Sequence, residues 1–259
     1  MNVWPFLMEG GCPMRQTERT AIVLRYANYR DNDRMLTLFS PTQGRIEALA
    51  RGCRKPRSPI LNASEMFALG DFELYQKGAH LTVISANLIE TFYPLRQDFD
   101  RLAVGTYLLG VTESCIQPGV PAQELFMLLL HTLSRLTFSD QPWKPLVAGF
   151  LLHLSACEGF KPRLQHCVRC GRRLAEGEST WFDLQEGGMV CRDCHLQAHL
   201  PVSAAQAHWM RTMLNAGSAA WVDAPDCTAP FMLLRKYVES RLDRPVRAAD
   251  MLPESPSLC

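Results

Sequence analysis

The sequence predicts an α+β chain of more than one domain, a small N-terminal β-barrel followed by an α-helical domain with an embedded four-cysteine module. Three observations predict it. Residues 17 to 90 are five short strand-like runs, rich in branched residues or alternating apolar with polar, joined by Gly- and Pro-bearing turns. From Asp98 onward the apolar spacing becomes helical. Within the helical part stand two Cys-x-x-Cys pairs, Cys167 with Cys170 and Cys191 with Cys194, separated by 20 residues. At 259 residues the chain is long enough for two cores.

Residues 1–16 are expected to be a flexible extension. Met1 to Pro13 fit no strand or helix pattern and lack the basic segment of a signal peptide, and Met14 lies just before the patterned sequence begins. Residues 17–93 then form the barrel. TAIVLRY at 20–26 is a strand rich in branched side chains, and MLTLF at 35–39 is the second. Pro41 to Gly44 turn into RIEALAR at 45–51, and a Pro- and Ser-bearing loop leads to DFELY at 71–75. Gln76-Lys77-Gly78 turns into LTVIS at 81–85. Five short strands with tight turns suit a small closed barrel, of which the OB-fold is one, and closure removes exposed sheet edges.

Residues 94–252 read as helical, Pro94 ending the β pattern. One helix follows Asp98, Pro121 opens a second, and Trp143 to Cys157 is a third that stops before Gly159. The cysteine module interrupts at about 164–199. Inside it, residues 180–184 and 189–191 are two short strands joined by a Gly187-Gly188 turn, which folds the second cysteine pair onto the first. Ser203 and Gln206 form a capping box for a helix to about Ala216, and a last helix covers about 230–242. Residues 253–259 are a tail.

Four thiolates close a tetrahedral shell around one zinc ion, so Cys167, Cys170, Cys191 and Cys194 are expected to hold one structural Zn2+ per chain. Two disulfides suit a secreted chain, and a thioredoxin-type redox site needs one such pair in a βαβ setting; neither context is visible. A catalytic zinc keeps one position open for water, and four cysteines leave none. His166 and His195 are read as neighbours of the site. Isolated Cys53, Cys115 and Cys157 among ten cysteines point to a reducing compartment, with Cys115 and Cys157 as small core residues. Cytoplasmic location is expected, and no apolar run is long enough to span a membrane.

The net charge of +1 hides an uneven distribution. Arg45, Arg51, Arg54, Lys55 and Arg57 face only Glu47 between positions 45 and 59, a local excess of four positive charges. Such a cluster is what phosphate binding requires. Pro56, Ser58 and Pro59 are expected to keep the loop extended. Arg25 and Arg34, with Arg19 and Arg30, widen the patch, and Tyr26, Tyr29 and Phe39 are candidate base-stacking rings or core residues. Arg235, Lys236, Arg241, Arg244 and Arg247 form a looser basic set diluted by Glu239, Asp243 and Asp250. No Gly-x-x-x-x-Gly-Lys, Gly-x-Ser-x-Gly or His-Glu-x-x-His occurs, and Asp31 with Asp33 is too little for a two-metal nuclease. The chain reads as a nucleic-acid-binding protein without catalytic machinery.

IVLR at 22–25, DRMLTLF at 33–39, GRI at 44–46 and ARGCRK at 50–55 resemble the opening of the bacterial recombination mediator family RecO. The resemblance continues through Tyr93-Pro94-Leu95 and the Cys-x-x-Cys-Gly…Cys-x-x-Cys insertion to LRKYVESRL at 234–242. It implies an OB-fold, a helical domain with a zinc finger, and a role in recombinational repair. It implies binding of single- and double-stranded DNA, annealing of complementary strands, and work with RecR to load RecA onto DNA coated by the single-stranded-DNA-binding protein SSB. On this reading Arg25, Arg34, Arg45, Arg51, Arg54, Lys55 and Arg57 contact DNA, the helical domain docks the SSB C-terminal tail, and Cys53 is a free thiol within the DNA patch. The alternative is a zinc-ribbon nucleic-acid-binding protein of transcription or RNA metabolism.

Overall fold

A computed structural model describes residues 15–216, 230–242 and 246–253. The expected N-terminal extension up to Met14, most of the C-terminal tail, and Asp243 and Arg244 of the looser basic set lie outside the described residues. The chain partitions into two units: residues up to Leu38 with Ile46–Thr91, and Phe39–Arg45 with everything from Phe92.

The first unit is built on a closed five-stranded barrel of order β1-β2-β3-β5-β4. Its strands are β1 (Arg15–Tyr29), β2 (Asp33–Ser40), β3 (Gly44–Ala50), β4 (Leu69–Lys77) and β5 (His80–Glu90). All five expected strands form, and all but the third are longer than the sequence pattern indicated. β1 and β4 run antiparallel from Arg15 opposite Gln76 to Ile22 opposite Leu69. The ring also depends on a short parallel pairing of β3 with β5, Ala48 opposite Leu81 and Leu49 opposite Thr82. The barrel interior is narrow, which is why its inward positions mix Ala21, Ala48, Ala50 and Ala68 with Val23, Leu36, Phe72 and Leu74, all buried. β4 and β5 lose register twice, leaving Ile84 and Ile89 without direct partners and exposed.

The second unit contains α1 (Phe99–Cys115), α2 (Gln123–Phe138), α3 (Trp143–Cys157), α4 (Ala204–Ala216) and α5 (Phe231–Glu239). Asp98 caps α1, its carboxylate accepting from the Arg101 N–H at 2.9 Å. α3 is apolar on all sides and buried from Pro145 through Ser155, so it forms the centre against which other helices pack. The capping box at α4 is complete: Ser203 N–H donates to Gln206 Oε1 at 3.0 Å, and Gln206 N–H donates to Ser203 Oγ at 3.2 Å. α5 ends three residues earlier than the spacing predicts, and just beyond it Arg241 turns its guanidinium onto the carbonyls of Leu184 and Gln185.

Between α3 and α4 lies a three-stranded sheet of order β7-β6-β8, with β6 (Thr180–Asp183), β7 (Gly188–Val190) and β8 (Leu200–Val202). The β6–β7 hairpin follows the expected pattern; β8 was not foreseen. It is three residues long and contains Pro201, which an edge strand tolerates because one side of its backbone needs no partner. The Phe39–Arg45 turn also belongs to this unit. Phe39 packs edge-on against Phe126 at 5.2 Å, and Arg45 N–H donates to the Gln117 carbonyl at 3.2 Å. Gly44 has φ +60°, and a Cβ there would collide with the Gln117 carbonyl.

Candidate nucleic-acid interface and metal centre

The basic loop leaves β3 at Arg51 and folds more tightly than its Pro and Ser content indicated. Three successive i to i+3 bonds, Lys55 N–H to Gly52 O, Ser58 N–H to Lys55 O and Leu61 N–H to Ser58 O, wind it into consecutive turns. It is pinned to the β1–β2 connection: Gly52 N–H donates to Asp33 Oδ1 at 2.8 Å and Arg54 N–H to Asn32 O at 3.1 Å. Asp33 is therefore an anchor for the loop. Arg51, Arg54, Lys55 and Arg57 all remain exposed on this frame, and Arg25 is exposed on β1.

Two of the expected basic residues are placed differently. The Arg34 side chain is only 11% exposed; it pairs with Glu65 at 2.7 Å, donates to the Ser64 carbonyl at 3.0 Å and lies 3.9 Å over the Tyr26 ring. Arg45 is half-buried and partitions with the second unit. The aromatic expectations divide too. Phe39 is fully buried and Tyr26 is covered by Arg34, whereas Tyr29 is 42% exposed. Cys53 is fully buried in the barrel core, its sulfur 3.8 Å from the Asn32 carbonyl. The expected free thiol in the basic patch is thus an interior packing group, because the turn after Gly52 (φ +61°) points it inward.

Beside the loop the barrel opens a cleft of about 1150 Å³. Tyr29 and Tyr75 contribute rings to its lining, Arg30, Arg51, Lys77 and His80 contribute cationic or polar groups, and Glu47 is the one acidic lining residue. Tyr75, Lys77 and His80 were not singled out in the sequence, where Lys77 reads only as a turn residue. The β3–β5 pairing carries the β4–β5 turn next to Arg51, and that pairing leaves no local signal. An apolar cleft with aromatic walls and a basic rim can accept an unstacked base while its phosphate stays at the rim.

The second unit brings Cys167, Cys170, Cys191 and Cys194 together, with all four Sγ atoms within 4.8 Å of one another. Each pair sits on a tight turn: Gly171 N–H donates to Cys167 O at 2.9 Å, with Gly171 at φ +74°, and Cys194 N–H donates to Cys191 O at 3.1 Å. Burial alone would push the Cys167 thiol up, but N–H groups of Cys170, Cys191 and Arg169 aimed at its sulfur bring it down to about 6. Cys194 is pushed up to about 12 by hydrogen bonding with Cys191 and Cys170 and by its burial and the neighbouring thiols. The four sulfurs are close enough together to hold one metal ion. His195 stacks on Trp181 at 4.1 Å. Cys115 and Cys157 are half-buried at helix ends, and burial pushes their thiols up to about 12 and about 11, away from reactive thiolate.

The metal module is locked to the helical core. Phe182 meets Tyr237 of α5 edge-on at 5.2 Å, the Tyr237 hydroxyl donates to the Phe160 carbonyl at 2.6 Å, and Gly187 lies so close to that hydroxyl that a Cβ would approach it to 2.6 Å. Arg241 completes the contact from the end of α5. Among the described residues, no helix is long and apolar enough to cross a membrane.

Residues 14–92 match the family described as Recombination protein O N terminal, and residues 96–250 match Recombination protein O C terminal. A DNA repair protein RecO of Alkaliphilus metalliredigens is 35% identical over 174 residues, 67% of this chain and 70% of the relative. Those of Desulforamulus reducens and a Nocardioides species are each 30% identical, over 239 and 236 residues; they cover 90% and 88% of this chain and 92% and 95% of the relatives.

Proposed function

The chain belongs to the RecO family of DNA repair proteins, and from that premise we propose that it is a recombination mediator that binds DNA through its barrel cleft and anneals complementary strands. The observation that carries this reading is the cleft with Tyr29, Tyr75, Arg30, Arg51 and Lys77 beside the exposed Arg51–Arg57 loop. Exposed Arg25, Arg51, Arg54, Lys55 and Arg57 neutralise phosphates, and the tyrosine rings stack on unpaired bases. Arg34 braces the barrel from within through Glu65 and the Ser64 carbonyl. Annealing then needs no bond chemistry, and the protein acts without an active site. It lowers the barrier to pairing by screening repulsion between two strands while tolerating both single strand and duplex.

With RecR, the protein helps RecA load onto SSB-coated DNA in the bacterial cytoplasm, associated with the nucleoid. The SSB tail, an acidic and hydrophobic peptide, docks on the helical domain. Support for that comes from Phe99 and Phe138, 72% and 62% exposed at adjoining ends of α1 and α2, where Arg101 bonds the Leu136 and Thr137 carbonyls.

The metal is one structural zinc held by Cys167, Cys170, Cys191 and Cys194. Zn–S bonds of about 2.3 Å in a tetrahedron set sulfurs about 3.8 Å apart. Cys170 and Cys191 Sγ stand 3.8 Å apart here. Zinc would supply cross-linking of the two turns and no reaction chemistry.

The test is annealing of complementary oligonucleotides, one precoated with SSB, at two salt concentrations. Acceleration that fades with salt is the expected result. Binding without annealing would leave a general nucleic-acid binder and favour a zinc-ribbon protein of transcription or RNA metabolism.

A further inference from the structure

Asp183 is the most thoroughly bonded buried acid in the four-cysteine module. It is 4% exposed at the end of β6. Its Oδ1 accepts the N–H groups of Gln185 at 2.9 Å and Glu186 at 3.1 Å, closing the hairpin. Its Oδ2 accepts from Arg169 at 3.1 Å and stands 3.1 Å from His199 Nε2. His199 is itself buried, and its Nδ1 faces the Leu196 N–H at 2.9 Å. A backbone N–H can only donate, so Nδ1 is the acceptor and Nε2 carries the proton given to Asp183.

These four donors come from three places. Arg169 lies between the cysteines of the first pair and directs its own N–H at the Cys167 sulfur. Gln185 and Glu186 form the hairpin turn, and His199 closes the turn that follows the second pair. One carboxylate therefore ties the first cysteine turn, the hairpin and the segment after the second turn into a single frame.

We propose that Asp183 is the positioning residue of the metal centre, holding the two cysteine pairs at ligation distance through Arg169 and His199. The inference rests on the zinc reading given above. Outer groups that orient ligands commonly change metal affinity by about 10- to 100-fold when lost. Asn at this position is a poor substitute despite its shape. It has one acceptor oxygen and an amide that donates, so either the hairpin N–H pair or the Arg169–His199 pair meets another donor.

The experiment uses the full chain purified with zinc. Metal content of the wild type is measured first, then the rate at which a chromogenic chelator strips zinc from wild type, Asp183→Asn, His199→Gln and Glu186→Gln. Glu186 makes an exposed pair with Arg163 on the same hairpin and serves as the control. The expected result is release roughly 10- to 100-fold faster for Asp183→Asn, a smaller acceleration for His199→Gln, and wild-type release for Glu186→Gln. Excess zinc should restore the thermal stability of Asp183→Asn, and cobalt substitution should give a tetrahedral thiolate spectrum with weakened affinity. If Asp183→Asn does not fold, the His199→Gln arm decides. Unchanged release in Asp183→Asn, or equal acceleration in Glu186→Gln, overturns the proposal. A metal-free wild type that takes up no zinc removes the zinc reading itself, and this inference with it.

Discussion

Arg34 and Arg51 are both arginines of the same barrel, and their surroundings give them different work. Arg51 lies exposed on the cleft, while Arg34 is closed in by Glu65, Ser64 and Tyr26. Replacing Arg51, Arg54 and Lys55 together by Ala should reduce the slope of log K against log salt by about 2 for single strands, at about 0.7 per phosphate contact. Binding titrations from low to moderate salt measure it, and an unchanged slope moves the DNA site elsewhere. Arg34→Ala should leave the slope alone and destabilise the barrel by about 2 kcal/mol, because Glu65 and the Ser64 carbonyl lose their donor. Urea unfolding separates the two effects. His153 on α3 supplies a pH dependence. Burial lowers its pKa from the usual 6.5, the bond with the Met213 backbone offsets part of this, and among the described residues nothing bonds its Nε2. The unfolded chain then binds a proton that the folded one resists. Stability from this group is present above about pH 6.5 and is lost as pH falls below it. Thermal unfolding between pH 8 and 5 should show this loss, and it should flatten in His153→Gln.

Among the elements, what the sequence revealed follows the range of the interactions. The α4 capping box was legible because Ser203 and Gln206 satisfy each other within one turn. Ser203→Ala should cost about 1 kcal/mol, seen as a lower midpoint in denaturant with an unchanged slope. The β6–β7 hairpin and the four-cysteine cluster were legible for the same reason: spacing and turn chemistry set them. β8 was not, since three residues around Pro201 carry no periodicity and form a strand only by pairing with β6. The Arg51–Ile60 loop was visible as charge but not as shape. Its compact turns depend on Asp33 and Asn32, some twenty positions earlier. The cleft was half legible: Arg51 and Tyr29 stood out, while Tyr75, Lys77 and His80 join them only through the β3–β5 pairing. Phe39 stayed open between stacking and core in the sequence, and Cys53 misled, for one reason. Alternation indicates that some residues face inward, but partners distant in sequence select which ones.

For the molecule as a whole, the four-cysteine module and the helices of the second unit are coupled through Tyr237, which meets Phe182 and Phe160, while Arg241 grips the hairpin. Removing zinc, or replacing Cys167 and Cys191 by Ser, should therefore lower the melting temperature of that unit by on the order of 10 °C or more. Scanning calorimetry measures it, and normal melting of the double variant would exclude a bracing role. If DNA binds at the barrel cleft as proposed, the salt slope of binding should survive in the same variant. The partition of Phe39–Arg45 with the helices bears on dissection of the protein. The polypeptide passes from one unit to the other at Leu38, returns at Arg45, and passes again at Thr91. No single break in the gene yields two self-sufficient pieces. A fragment ending at Thr91 keeps all five strands yet strips Phe39 of the Phe126 ring and Arg45 N–H of the Gln117 carbonyl, exposing a sticky hairpin tip. The barrel is thus not a freely exchangeable cassette. Any evolutionary swap or engineered graft of it has to bring along, or repair, the seven-residue stitch that belongs to its neighbour.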